Sequence, residues 1–237
     1  EYLEASSRLR RRVKSALTYP VIVMVLAGIR SVVMLVFIVP VFAGIYDDFN
    51  AKLPTATQVL VHISETIRNH APYVLVGLLV FVLIVRRLKH TEKGGLVWDQ
   101  YVLKAPVAGP LINKIALARM SRTFASLIRS GVPILRTLDI VATATGNRFI
   151  GKALEQCGDD IEGGANIAAS MKRSGRFPPM VIHMISAGEK TGNVDGMLEK
   201  VADFYEDEVS TSLEALSSMI EPLLMAFLGV VIGGIVI

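Results

Sequence analysis

Residues 204–225 read Phe-Tyr-Glu-Asp-Glu-Val-Ser-Thr-Ser-Leu-Glu-Ala-Leu-Ser-Ser-Met-Ile-Glu-Pro-Leu-Leu-Met. Tyr205, Val209 and Leu213 fall four residues apart among acidic and hydroxyl neighbours, the stripe of an amphipathic helix. The helix meets Glu221-Pro222 and then an apolar run that reaches Ile237 without a charge. As a helix that run rises about 24 Å, against a hydrocarbon core of roughly 30 Å. It reads as a membrane span over 219–237. The same pattern occurs near the other end. Shifted by 202 positions, Tyr19-Pro20-Val21-Ile22-Val23 falls on Glu221-Pro222-Leu223-Leu224-Met225, Tyr2 on Phe204 and Glu4 on Glu206. In each copy a helix meets a proline, expected at the start of a span, where its missing N–H costs little.

Composition agrees with a membrane reading. Of 237 residues, 52% are hydrophobic and 19% charged, and mean hydropathy is +0.50. Soluble domains carry about 25% charged residues. The single cysteine, Cys157, excludes a disulfide scaffold and a cysteine-based zinc site. An aromatic share of 7% argues against a stacking platform for nucleic acid.

Two further apolar segments precede the last. Residues 16–46 are broken only by Thr18, Arg30 and Ser31 and are long enough to cross a bilayer with tilt. Residues 71–88 hold an apolar stretch from Ala71 to Val85. It rises about 22 Å and needs snorkelling from Arg86 and Arg87 to span. Arg8, Arg10, Arg11, Arg12 and Lys14 precede the first span, and Arg86, Arg87, Lys89 and Lys93 follow the second. Basic residues collect on the cytoplasmic side. The charges therefore predict 1–15 inside, a periplasmic loop over 47–70, and 89–218 inside. Arg30 sits deep in the first span, where a charge costs roughly 2.5–3.5 kcal/mol on insertion scales.

The 89–218 segment is punctuated as a helical bundle. Leu111, Ile115, Ala118, Phe124 and Leu127 mark one helix face, which Gly131 ends before Pro133 opens the next helix. Gly146-Asn147, Gly163-Gly164, Gly175, Pro178-Pro179 and Gly192-Asn193 delimit the helices that follow. Short turns between helices imply an antiparallel bundle. The offset repeat makes residues 1–15 the tail of an earlier copy of this domain. The fold class expected is thus an all-α membrane protein with three transmembrane helices and a cytoplasmic bundle, a fragment of a two-copy repeat protein cut at both ends.

Charges in the bundle are polarised. Arg119, Arg122, Arg129, Arg136, Arg148 and Lys152 come early, and Asp195, Glu199, Asp203, Glu206, Asp207, Glu208 and Glu214 late. Solvated helix faces with mutual ion pairs are the plain reading; a docking surface for a charged partner is the sharper one. No catalytic constellation is visible. Gly188-Glu189-Lys190-Thr191 resembles the end of a phosphate loop, but the earlier glycine is absent and a carboxylate there repels phosphate. His62, His70, His90 and His183 lack metal-ligand spacing. Cys157 reads as a small buried residue on an apolar face. A transporter or channel needs polar residues at midplane, and Gly229, Gly233 and Gly234 are explained by helix packing.

Three segments carry a family likeness. They are Leu117-Ala118-Arg119 through Arg122-Thr123 to Ser130-Gly131-Val132-Pro133-Ile134-Leu135; Phe177-Pro178-Pro179 through Met184-Ile185 to Gly188-Glu189-Lys190-Thr191-Gly192 and Met197-Leu198; and Phe204 to Val209 followed by Glu221-Pro222-Leu223-Leu224. Together they resemble the type II secretion system F family, the inner-membrane platform proteins of type IV pilus assembly and type II secretion. The resemblance implies a scaffold without enzymatic activity or cofactor. Its partners would be a hexameric cytoplasmic assembly ATPase, pilin or pseudopilin subunits, other inner-membrane machine components and further copies of itself as a homo-oligomer. It marks Arg119, Arg122, Gly131, Pro133, Pro178, Gly188, Glu189, Gly192, Glu221 and Pro222 as structural or interface residues. Ala144-Thr145-Gly146-Asn147 and the glycine-rich last span look more like the pilus branch; Arg30 departs from the family's usually uncharged first span.

Overall fold

Asn147 begins a helix as its position predicts. Its Oδ1 accepts from the N–H groups of Phe149 (3.0 Å) and Ile150 (3.1 Å), two donors that have no partner within the helix. In the computed structural model, which describes residues 2–49, 55–106 and 108–236, every regular element among the described residues is helical. The helices are α1 (Tyr2–Val33), α2 (Val39–Asp48), α3 (Thr55–His90), α4 (Glu92–Leu103), α5 (Ala108–Arg129), α6 (Ile134–Ala144), α7 (Arg148–Glu162), α8 (Ile167–Ser174), α9 (Pro179–Thr191) and α10 (Val194–Val236); a π-helical turn over Met34–Ile38 joins α1 to α2. The chain divides into two compact units. One comprises Glu1–Lys14 with Arg87–Leu213, the other Ser15–Arg86 with Glu214–Ile237.

In the first unit, α4 packs on α5 and α7, and α5, α6, α7, α8 and α9 pack each on the next. The core holds Leu117, Met120 and Phe124 of α5, Leu138 of α6, Leu154 of α7, Ile185 of α9 and Leu198 of α10, all essentially without exposure. Each such side chain contributes about 1.5–3 kcal/mol by leaving water. The stripe expected along α5 is present in part: Leu111, Ala118 and Phe124 are buried, while Ile115 and Leu127 are half-buried. Cys157 is fully buried.

The second unit holds the stretch that is long and apolar enough to cross a membrane, Val21–Tyr46, 26 residues with a mean hydropathy of 2.7 over an 18-residue window; it is the single stretch among the described residues that meets that description. Its π turn has a chemical cause. The N–H of Val39 bonds the carbonyl of Met34, five residues back. The next residue, Pro40, has no N–H to donate, so the carbonyl of Leu35 loses its turn of the ladder. Ser64 Oγ of α3 donates to that carbonyl at 2.6 Å, and Ser64 is 1% exposed. An unpaired carbonyl in an apolar environment is thereby satisfied by a neighbouring helix. Arg30 lies on an exposed face of α1.

Two expectations need correction. Residues 55–70, read as part of a loop, are the first turns of α3; residues 50–54 lie outside the described set. Thr55–His90 is one continuous helix of 36 residues, and it carries the apolar stretch from Ala71 to Val85. Nor do the aligned prolines sit at helix starts, where a missing N–H costs little. Pro222 is inside α10, which runs unbroken through 43 residues, and Pro20 is inside α1. A proline within a helix removes one hydrogen bond and costs about 3 kcal/mol, where the sequence pattern suggested almost nothing.

Candidate functional site

Glu189 stands on the last turn of α9, yet its carboxylate serves another helix. Oε1 accepts from the N–H of Ile167 at 2.6 Å and Oε2 from the N–H of Ala168 at 3.2 Å. These are the first two residues of α8, whose own N-cap, Asn166, makes no side-chain capping bond. A carboxylate at a helix N-terminus meets both free donors and the positive end of the helix dipole. The flanking glycines have separate reasons. A Cβ built on Gly188 would lie 2.7 Å from Val194 Cα and 3.1 Å from the Asn193 carbonyl, because the chain folds straight back from α9 into α10. Gly192 makes that reversal with φ +70°, a left-handed conformation that favours glycine. The N–H of Asn193 closes the motif on the Gly188 carbonyl at 2.9 Å, and Asn193 Oδ1 accepts from Gly196 N–H at 3.2 Å. Gly188-Glu189-Lys190 is thus the C-terminal end of a helix, the end that repels an anion.

The other positions singled out from the sequence lie on α5, at helix ends and late in α10. Gly131 (φ +76°) turns the chain between α5 and α6, where Pro133 holds the N-cap position. Pro178 holds the same position for α9. Arg119 lies against Gly146, where a Cβ would meet its Nη1 at 3.0 Å, and its Nε is buried without a hydrogen-bond partner. Pro222 is exposed on α10, and the side chain of Glu221 lies outside the described set.

The charge polarity of the sequence resolves into a ladder between α5 and the start of α10. Lys114 Nζ meets Glu208 at 2.7 Å, Arg122 meets Asp203 at 2.6 Å and Glu206 at 2.9 Å, and Arg129 meets Asp195 at 3.4 Å and also Glu199. The basic residues ascend as the acids descend, so the two helices run antiparallel. Burial disfavours the Arg122 charge, but the hydrogen bonds it donates to Glu206 and Asp203, with the charges of those carboxylates, outweigh it and raise its pKa above the ordinary value. Arg136 and Arg148 stand apart. Arg136 reaches Asp139 on its own helix at 3.9 Å. Arg148 donates its N–H to Asp99 of α4 at 2.8 Å and its Nη1 to the Thr91 carbonyl at 2.9 Å.

Replacing Arg122 with methionine is expected to cost about 1–2 kcal/mol, because it breaks two charge-assisted bonds in a partly buried site. The same change at exposed Arg136 is expected to alter stability by less than about 0.5 kcal/mol. Urea unfolding of the two variants checks this, and added salt should narrow the gap.

Few side chains here suit bond-making chemistry. Among the described residues, no group of three His, Cys, Asp or Glu side chains is placed to hold a metal ion. A hollow on the first unit is lined by Cys157, Asp160, Ser170 and Arg173; Ser170 and Arg173 both bond Asp160. Burial, first, and then Asp160 push the Cys157 thiol above its usual pKa, which makes it a poor nucleophile. What the arrangement offers is a rigid, charge-laced bundle whose conspicuous residues hold helix ends and turns.

Residues 120–237 match the family described as type II secretion system (T2SS), protein F. The chain is 41% identical over 236 residues to the type IV pilus assembly protein PilC of Myxococcus xanthus, covering 100% of this chain and 57% of that protein. The chain belongs to the type II secretion system protein F family. This family member is also 40% identical over 237 residues to PilC of Thermus thermophilus, covering 99% of this chain and 58% of that protein. To the type II secretion system protein F of Pseudomonas aeruginosa it is 30% identical over 236 residues, covering 98% of this chain and 57% of that protein. It therefore spans a little over half the length of these relatives. The match takes in Arg122, Glu189 and the α9–α10 turn. Sequence reasoning missed Asp99 and Ser64. Each acts across a sequence separation of 29 residues or more, and neither sits in a motif.

Proposed function

We propose that this chain belongs to the inner-membrane platform of a type IV pilus assembly machine. The observation that carries the reading is similarity along the whole of this chain to type IV pilus assembly proteins at 41% and 40% identity, against 30% for a secretion-system protein F. In this reading Val21–Tyr46, the later part of α3 and the end of α10 are three spans. Basic flanks hold 1–15 and 89–218 in the cytoplasm and leave 47–70 in the periplasm. The division of the chain into a unit containing 87–213 and a unit containing 15–86 supports that organisation. So does the offset repeat, which makes residues 1–15 the tail of an earlier copy. The cytoplasmic bundle meets a hexameric assembly ATPase and further copies of the chain, and the spans meet pilin-like subunits and other machine components. The protein supplies contacts and geometry; the ATPase supplies the free energy.

The equivalent platform of a type II secretion system is the second reading, favoured by the secretion-system relatives. Electron microscopy separates the two. A strain lacking the gene is expected to carry no surface fibres, and a complemented strain to regain them. Fibres at normal number, with an exported protein retained in the periplasm, would replace the pilus reading with the secretion one.

A further inference from the structure

Helix α4 has a fixed inner face and an unpartnered outer one. Inside, Gly95 is buried, Asp99 accepts the N–H of Arg148 at the start of α7, and Arg148 reaches back to the Thr91 carbonyl. This clasp sets the rotation of α4 about its axis. Outside, Val97, Trp98 and Tyr101 are 48%, 38% and 68% exposed. Spacings of three and four place them on one face. Each ring carries a cation: Lys89 Nζ lies 4.3 Å from the Trp98 ring centre and Lys104 Nζ 5.9 Å from that of Tyr101. Arg87 and Lys89 are exposed on the last turn of α3, and α4 starts two residues after that helix ends.

We infer that the outer face of α4 lies on the cytoplasmic leaflet of the bilayer, with Val97, Trp98 and Tyr101 at headgroup depth and Arg87, Lys89 and Lys104 against anionic phospholipid. The inference rests on the reading of α3 as a span. If α3 leaves the bilayer at Arg86–His90, α4 begins at the headgroups. Tryptophan and tyrosine favour that depth because one edge of the ring is apolar and the other polar. Lysines beside them match the negative surface of a leaflet rich in acidic lipid. A short helix with an apolar-aromatic face and a basic rim is the form that lies in an interface. A platform docked this way has its cytoplasmic bundle oriented against the membrane and not merely tethered to it.

Trp98 is the one tryptophan in the chain, so its fluorescence reports on this face alone. The full chain is reconstituted into phosphatidylcholine vesicles with and without phosphatidylglycerol and floated on a density gradient. Trp98 emission is then read against iodide present on both sides and against lipids brominated near the headgroup or deep in the chains. The expected result is flotation, shelter from iodide, and stronger quenching by shallow than by deep bromine. Lys104→Gln is expected to lower the docked-to-undocked ratio about fivefold in phosphatidylglycerol vesicles, the worth of one charge near an anionic surface. A chain that floats while Trp98 stays open to iodide overturns the inference and leaves the spanning reading intact. Shelter from iodide without bromine quenching also overturns it, since a protein face such as a second copy then covers α4. Bromine quenching equally strong in phosphatidylcholine alone overturns the acidic-lipid assignment. A chain that does not float overturns the spanning reading together with the inference.

Discussion

Replacing Gly188 with valine is expected to destabilise the first unit by about 3 kcal/mol or more, within the upper range for forced overpacking. The new Cβ would sit 2.7 Å from Val194 Cα and 3.1 Å from the Asn193 carbonyl. Both are backbone, so no side chain can swing away. The α9–α10 reversal must open, and that pulls on Leu198 and Val201, which are fully buried. Alanine at 188 introduces the same Cβ and should already show most of the loss. By comparison, Gly192→Ala strains a left-handed residue without a steric neighbour and should cost about 1 kcal/mol. Chemical unfolding of the three variants in detergent checks the order. Equal losses at 188 and 192 would show that close approach is not the reason for Gly188.

Glu189→Ala is expected to cost about 2 kcal/mol, the scale of hydrogen bonds to a charged acceptor. It leaves the N–H groups of Ile167 and Ala168 without their partner, although Ile167 and Ala168 are both largely buried. The effect should be local first. Amide exchange at Ala168 and along α8 should accelerate, while the α5–α6 core keeps its protection. Glu189→Gln keeps an acceptor but loses the charge, and should fall between alanine and the native residue. Glu189→Asp keeps the charge but is one methylene too short, and should behave nearly like alanine if geometry governs. A different pattern would relocate the residue's role. If Glu189→Ala leaves stability and α8 exchange unchanged yet abolishes assembly of the machine, the carboxylate works at an interface between proteins.

Much of the first unit was legible because its helix boundaries are written in residues with local constraints. Asn147, Gly175, Gly192 and Pro178 occupy helix ends where the capping and φ requirements are short-range. The polarity of basic residues early and acidic residues late was equally plain in the sequence. Whether those charges faced outward or each other was open, since a helix stripe has no partner until helices pack. The α5–α10 ladder shows Arg122 and Arg129 facing Asp195, Glu199, Asp203 and Glu206. The Gly-Glu-x-x-Gly segment was visible as a motif, but the target of Glu189 was not. It caps a helix that begins 22 residues earlier, and no local pattern specifies a contact of that kind.

Amphipathic period, proline and glycine punctuation and apolar run length are properties of a few neighbouring residues. They were enough to establish an all-helical chain with an apolar stretch of membrane length. The failures are as instructive. Pro222 and Pro20 lie inside helices, because a continuous helix on both sides can outweigh one lost bond. The π turn at Met34–Ile38 follows from Pro40, yet its accommodation depends on Ser64 being 1% exposed and 2.6 Å from the Leu35 carbonyl. Likewise Asp99 and Arg148 become partners only when α4 lies on α7. These interactions depend on side chains distant in sequence arriving at one place, so their free energy exists only after packing.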